Sequence, residues 1–154
     1  MARKRVLVVG LGNMGMSHAL AYTRLPDVEV VGVCTRHIDK VKLPEALSKA
    51  KKFSNFDAAL KELKPDIVSV NSLPDTHAEF AIKAMEAGAH VFVEKPLADT
   101  VEDAERVVAA AKRTGKARYE TYRSDMHATA VRRLHADADL RRGIENREIV
   151  PHYQ

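Results

Sequence analysis

Cys34 is the only cysteine in this 154-residue sequence, so no disulfide forms within the chain and no cysteine-based zinc site can assemble. Tryptophan is absent and aromatic residues make up only 5% of a composition otherwise ordinary for a globular chain. No apolar run approaches the length of a membrane span. The basic start Met1–Arg5 leads directly into a short apolar strand pattern, too short for the apolar region of a signal peptide, so the cytoplasm is the expected compartment. The 25 Lys and Arg residues are interspersed with 21 Asp and Glu and form no stripe of one sign, which argues against a nucleic-acid partner. There are no repeats and no low-complexity segments. No H-E-x-x-H spacing occurs, and a cluster of His127, His135 and Asp137 is too loose to read as a site, so no metal is expected.

What is present is an alternation of two apolar patterns. Short β-branched runs at Val6–Val9, Val28–Val33, Ile67–Val70 and Val91–Val93 read as strands buried on both faces, as a parallel sheet requires. Helical spacing occupies the intervals Met14–Leu25, Glu45–Lys51, Asp57–Leu63, Thr76–Ala87 and Thr100–Arg113. Pro26, Gly88 and Gly115 mark helix ends, and Asp99 or Thr100 reads as an N-cap before the acidic Glu102 and Asp103. This order predicts an α/β fold, a doubly wound parallel sheet with helices on both faces. Composition shifts at Ala117: the 12 lysines all precede it, and seven arginines follow it. The pattern assigns residues 1–123 to the α/β domain, with a further strand at Tyr119–Tyr122. Residues 124–154 are a tail with one helix near His127–Leu140 and a loosely held end.

Gly10-Leu11-Gly12-Asn13-Met14-Gly15 matches G-x-G-x-x-G between a strand and a helix, the context in which that spacing has meaning. Gly10 permits a tight turn, Gly12 lets the backbone approach a pyrophosphate, and Gly15 allows the helix to pack closely on the strand. Free N–H groups and the partial positive charge of the helix start, around Asn13 and Met14, suit phosphate. A ligand-free turn, or one serving another nucleotide, would carry the same glycines.

About 20 residues beyond such a turn, NAD-binding domains place a carboxylate that holds the ribose hydroxyls. Here the position falls on Thr35, followed by Arg36, with no acid before Asp39. Loss of the acid removes repulsion against a 2′-phosphate, and a guanidinium pairs with phosphate in bidentate fashion. NADP is therefore the expected cofactor. NAD remains the alternative, in which Arg36 only stacks on adenine. Cys34 reads as a small core residue.

A strand ending in Glu94-Lys95-Pro96 is the second strong motif. Together with the glycine turn, His18 after it, and the Asp66–Val70 strand leading to His77, it makes residues 4–123 resemble the glucose-fructose oxidoreductase and inositol dehydrogenase family (Gfo/Idh/MocA). The resemblance implies a Rossmann domain and hydride transfer to or from a sugar- or polyol-type hydroxyl. By the same resemblance Lys95 is the catalytic candidate, reaching the nicotinamide ribose and the reacting hydroxyl, while Glu94 orients Lys95 or the cofactor. Asn71 and Ser72 take the place of the family's usual Thr-Pro pair and would line the cofactor. His77 joins the cofactor-site candidates but is also read as a structural residue at a helix start. His18 faces the pyrophosphate or serves in capping and packing.

Family members continue into a second α/β domain that completes the substrate pocket, and this sequence ends at Gln154. The segment Tyr119–Ser124 keeps convincingly only Arg123 of the family's pattern there. Two expectations follow: an oxidoreductase of CH–OH groups whose small-molecule substrate site another chain completes, or a dinucleotide-binding module without catalysis. Because such a domain bares surface that its partner normally covers, a homodimer or higher homo-oligomer is expected.

Overall fold

A computed structural model of the chain describes residues 2–115. Its strands are β1 (Lys4–Val9), β2 (Val28–Cys34), β3 (Lys51–Phe53), β4 (Ile67–Val70) and β5 (His90–Val93). They form one five-stranded sheet in the order β3-β2-β1-β4-β5, with every described pairing parallel. The helices are α1 (Asn13–Thr23), α2 (Phe56–Leu63), α3 (Pro74–Glu86) and α4 (Val101–Arg113).

Period-two alternation divides the central strand between two cores. Leu7 and Val9 face Phe56, Leu60 and Leu63 of α2 and Ala84 of α3, whereas Val6 and Val8 face Ala19 of α1 together with Ile38 and Leu47. Each such buried aliphatic side chain stabilises the fold by about 1.5–3 kcal/mol relative to exposure. Helices thus cover both faces, which is the doubly wound arrangement. A third cluster, with Ala78, Ala81 and Met85 of α3 against Val107 and Ala110 of α4, extends the packing beyond β5.

The helix ends follow local chemistry. Asn55 Oδ1 accepts from the Ala58 N–H at 2.8 Å to cap α2, and Thr100 Oγ1 accepts from the Asp103 N–H at 3.1 Å to cap α4. Of the two N-cap candidates for α4, Thr100 therefore serves. Helix α3 begins at Pro74, two residues before its expected start at Thr76, because proline presets the first helical φ and needs no N–H partner there. At the sheet's other end Asp66 Oδ2 accepts from the Arg5 N–H at 2.8 Å. That bond, with Lys4 beside it, holds the Asp66 carboxyl below its ordinary pKa.

One expected element is replaced. Instead of a helix over Glu45–Lys51 there is a single 3₁₀ turn at Glu45–Leu47, and Lys51 already belongs to β3. Pro44 starts that turn, and pairing of Lys51–Phe53 with Gly32–Cys34 draws the chain back into the sheet before a second helical turn can form. The expected strand at Tyr119–Tyr122, the tail helix and the boundary at residue 123 lie outside the described residues.

Candidate functional site

The ends of β1, β2, β4 and β5 meet at one edge of the sheet, and the order reverses between β1 and β4. Crevices at such a switch point are where open α/β sheets bind ligands. Single hydrogen bonds carry the strand register into the loops. Gly10 N–H donates to the Cys34 carbonyl at 2.8 Å, Asn71 N–H to Val9 at 2.7 Å, and Glu94 N–H to Val70 at 2.9 Å. The first residue of each loop is therefore as fixed as the strand before it.

The three glycines of the turn have separable tasks. Gly10 adopts φ +81°, and a Cβ there would lie 2.5 Å from the Asn71 carbonyl oxygen and the Ser72 nitrogen. A Cβ on Gly15 would overlap the Gly10 carbonyl oxygen. The fold itself requires both. Gly12 is different: it has φ −70° and ψ −170°, open to any residue, and a Cβ there meets nothing within 4 Å among the described residues. The described residues leave that space empty beside the start of α1.

That helix start is also uncapped. Gly12 supplies no side chain to α1, and its first turn holds no acidic residue, in contrast to α2 and α4. The first intrahelical bond runs from Met16 N–H to the Gly12 carbonyl at 2.9 Å, which leaves the Asn13, Met14 and Gly15 N–H groups at the helix start without earlier carbonyls to meet. An open cradle and free donors at a helix N-terminus fit a pyrophosphate.

At the end of β2, Thr35 is half-buried and its N–H donates to the Phe53 carbonyl at 3.0 Å, while Arg36 is exposed. Arg36 makes no ion pair among the described residues. Cys34 is buried, and burial pushes its thiol up to about 11.

At the end of β5, Lys95 is exposed, and the Lys95–Pro96 peptide is cis. The Lys95 N–H donates to Glu94 Oε1 at 3.0 Å, and Glu94 Oε2 lies 3.1 Å from His18 Nε2. The His18 ring sits between Phe92, 5.1 Å away, and Tyr22, 6.2 Å away.

The sequence matches the model of the Gfo/Idh/MocA family, described as an oxidoreductase family with an NAD-binding Rossmann fold, over residues 4–122. The chain belongs to the Gfo/Idh/MocA oxidoreductase family. It is 37% identical over 114 residues to D-glucoside 3-dehydrogenase of Escherichia coli K12, which covers 73% of this chain and 32% of that protein. It is 35% identical over 122 residues to an alpha-N-acetylgalactosaminidase of Shewanella oneidensis, covering 73% of this chain and 27% of that protein. Among solved structures, the WlbA dehydrogenase of Bordetella pertussis in complex with NADH and UDP-GlcNAcA superposes with a TM-score of 0.67 at 30% identity. That match covers 73% of this chain and 35% of the other. UDP-N-acetylglucosamine 3-dehydrogenase GnnA of Acidithiobacillus ferrooxidans superposes with a TM-score of 0.64 at 29% identity, covering 75% of this chain and 37% of that one. The matched region thus spans about a third of these relatives' length.

Within this Gfo/Idh/MocA domain the residues singled out from sequence fall into two groups. Gly10, Gly12, Asn13, Met14, Gly15, Thr35, Arg36, Glu94 and Lys95 all lie at or just beyond the strand ends of the switch-point edge. Asn71 and Ser72 directly follow β4 at the same edge, against Gly10, whereas His77 lies on α3 behind it. Asn71 is buried, and its Nδ2 donates back to the Ser69 carbonyl at 3.1 Å and Ser69 Oγ at 3.0 Å, leaving Oδ1 buried without a partner among the described residues. Ser72 Oγ accepts from Thr76 Oγ1 at 2.8 Å. His77 is 1% exposed, with Nδ1 2.7 Å from the Pro96 carbonyl and Nε2 2.9 Å from the Ser72 carbonyl. Both ring nitrogens face backbone carbonyls, so the buried His77 packs between two site loops. Neither the Glu94–His18 pair nor this packing is visible in sequence spacing.

Proposed function

We propose that this domain binds NADP(H) in preference to NAD(H) and that the protein it serves transfers hydride to or from a sugar- or polyol-type carbinol carbon. The observation that carries this is the convergence of the Gly12 cradle, Arg36 and Lys95 on one sheet edge. The uncapped start of α1 takes the pyrophosphate. Arg36, following a Thr where a carboxylate would repel phosphate, takes the 2′-phosphate. When bound, the nicotinamide supplies the hydride donor or acceptor. Lys95 Nζ hydrogen-bonds the reacting hydroxyl and, as that hydroxyl becomes a carbonyl, holds its proton or passes it on. Glu94 keeps the Lys95 backbone in place. Sugar-directed names among the relatives, such as D-glucoside 3-dehydrogenase, favour a sugar substrate.

A substrate pocket completed by polypeptide outside the described residues, from the same or another chain, fits the partial overlap with the relatives. So does a homo-oligomer that covers the exposed Met14, Leu73 and Leu97 near this edge. A second reading, a dinucleotide-binding module without its own chemistry, rests on the same overlap. Titration of NADPH and NADH by cofactor fluorescence tests the cofactor assignment. NADPH is expected to bind at least about tenfold tighter, a margin lost in Arg36→Ala, since one charge-assisted bidentate contact contributes about 1.5–3 kcal/mol. Equal affinities, or an unchanged ratio in Arg36→Ala, overturn it. Consumption of NADPH or NADP with a panel of glycosides and keto-sugars separates the two readings. Turnover that vanishes in Lys95→Met supports the enzyme, and no turnover on any of them favours the module.

A further inference from the structure

We propose that His18 is a positioning residue that sets Lys95 through Glu94, so that the helix whose N-terminus meets the cofactor also holds the lysine. The inference rests on the reading of Lys95 as a cofactor contact.

The Glu94 carboxylate is divided between two partners. Oε1 accepts from the Lys95 N–H at 3.0 Å, and Oε2 faces His18 Nε2 at 3.1 Å. A Glu side chain left to itself has several rotatable bonds, and its bond to the neighbouring N–H would compete with many other rotamers. His18 removes that freedom. Its own ring is confined by Phe92 and Tyr22, with centroids at 5.1 and 6.2 Å. Only 20% of the His18 side chain and 18% of the Glu94 side chain are exposed, so water competes weakly for the contact.

The other flank of Lys95 is held separately. The Pro96 carbonyl lies 2.7 Å from His77 Nδ1 on α3. The polar groups on either side of the Lys95 side chain are thus anchored, one to α1 through Glu94 and one to α3. The exposed side chain alone is left to move. His18 stands on α1 one turn beyond the glycine turn, so the pair links the pyrophosphate cradle to the lysine at the far side of the crevice.

A plain helix-to-strand link would have the same geometry but different energetics. Its loss would lower stability and weaken cofactor binding by the same factor whether or not Lys95 were present. A positioning role makes the effect depend on Lys95, and a double-mutant cycle separates the two. The chain has no tryptophan, so NADPH fluorescence reports binding directly to the full chain, with thermal melts in parallel. Lys95→Met is expected to weaken NADPH by about tenfold. His18→Leu and the shorter His18→Asn are each expected to weaken it by about fivefold, and His18→Gln, whose amide reaches the place of Nε2, to return within about twofold of the parent. His18→Leu added to Lys95→Met should cost less than about twofold more. Should either His18 variant fail to fold, the other and His18→Gln carry the cycle. Equal losses in both backgrounds, or no loss from either His18 variant, overturn the proposal. Unchanged binding in Lys95→Met alone overturns it from the other side, by removing the lysine's contact, and that outcome is distinct from additivity.

Discussion

Substituting valine for Gly12 should separate folding from binding at a single atom group. The backbone there has φ −70° and ψ −170°, which valine adopts without strain, and a Cβ meets no atom of the described residues within 4 Å. Two small terms act on stability. Valine is a poorer N-cap than glycine by about 0.5–1 kcal/mol, while replacing glycine restricts the unfolded chain and returns about 0.4–1 kcal/mol. The net change stays within about 1 kcal/mol, a melting shift of at most about 8 °C for a domain this size. Binding is another matter. The isopropyl group fills the space through which a pyrophosphate approaches the free N–H groups of α1. At least two charge-assisted hydrogen bonds of about 1.5–3 kcal/mol each are then lost, a loss of at least about a hundredfold in NADPH affinity. Gly15→Ala supplies the opposite control. Its Cβ overlaps the Gly10 carbonyl oxygen, so helix and turn must separate, a cost above about 4 kcal/mol against a typical domain stability of about 5–15. Circular dichroism melts and fluorescence titration on the two variants check both arms. A folded Gly12→Val protein that binds NADPH like the parent would refute the placement of the pyrophosphate, and an unfolded one would refute the claim that the fold does not need this glycine.

Cys34 should resist alkylation by iodoacetamide at pH 8 in the folded chain, by about a hundredfold or more relative to the unfolded chain, because burial raises its thiol from 9.0 to about 11. Its linkage has a definite sign: the fold favours the protonated thiol, so this contribution is complete below the unfolded thiol's pKa and is lost as pH rises from about 9 towards 11, seen as a falling melting temperature that Cys34→Ala flattens. Asn55→Ala should destabilise the domain by about 1 kcal/mol, measured by urea denaturation, because it leaves the Ala58 N–H without its 2.8 Å acceptor; a change below about 0.3 kcal/mol would mean that water replaces the cap at no cost.

The features legible in the sequence were those encoded locally. Four of the five strands announced themselves as β-branched runs; in β1, β2 and β4 the cause is burial of both sheet faces, as Val6 through Val9 show, whereas β5 carries the exposed His90 and Phe92 on one face. The fifth, Lys51–Phe53, carries two exposed lysines and one half-buried aromatic, and no alternation marks it. It exists because Gly32–Cys34 offer a ladder, and its charge suits an edge strand, where lysine discourages pairing with another chain. The helix expected over Glu45–Lys51 failed for the same reason. Local spacing favoured it, and a pairing with β2, 19 residues back at Gly32–Lys51, outweighed local preference.

The candidate site divides along the same line. The glycine turn was readable because its three glycines lie within six residues, yet the motif alone treats them as equals. Only the surroundings separate Gly10 and Gly15, which neighbouring backbone would crowd, from Gly12, which the described residues leave open. His77 reads in sequence both as a cofactor-site candidate and as a structural residue at a helix start, and its ring faces two backbone carbonyls. Its distance in sequence from Ser72 and from Pro96 gives no sign that both carbonyls converge on one buried ring. His18 and Glu94 are 76 residues apart and sit on different elements, a helix and a strand end, with no shared period to reveal them. A side chain that acts by holding another residue leaves its mark in three dimensions alone, whereas a turn that must admit a phosphate leaves it in the order of residues. The glycine turn was therefore the easier feature to find, whereas the His18–Glu94 pair beside Lys95 exists only where the end of β5 meets α1.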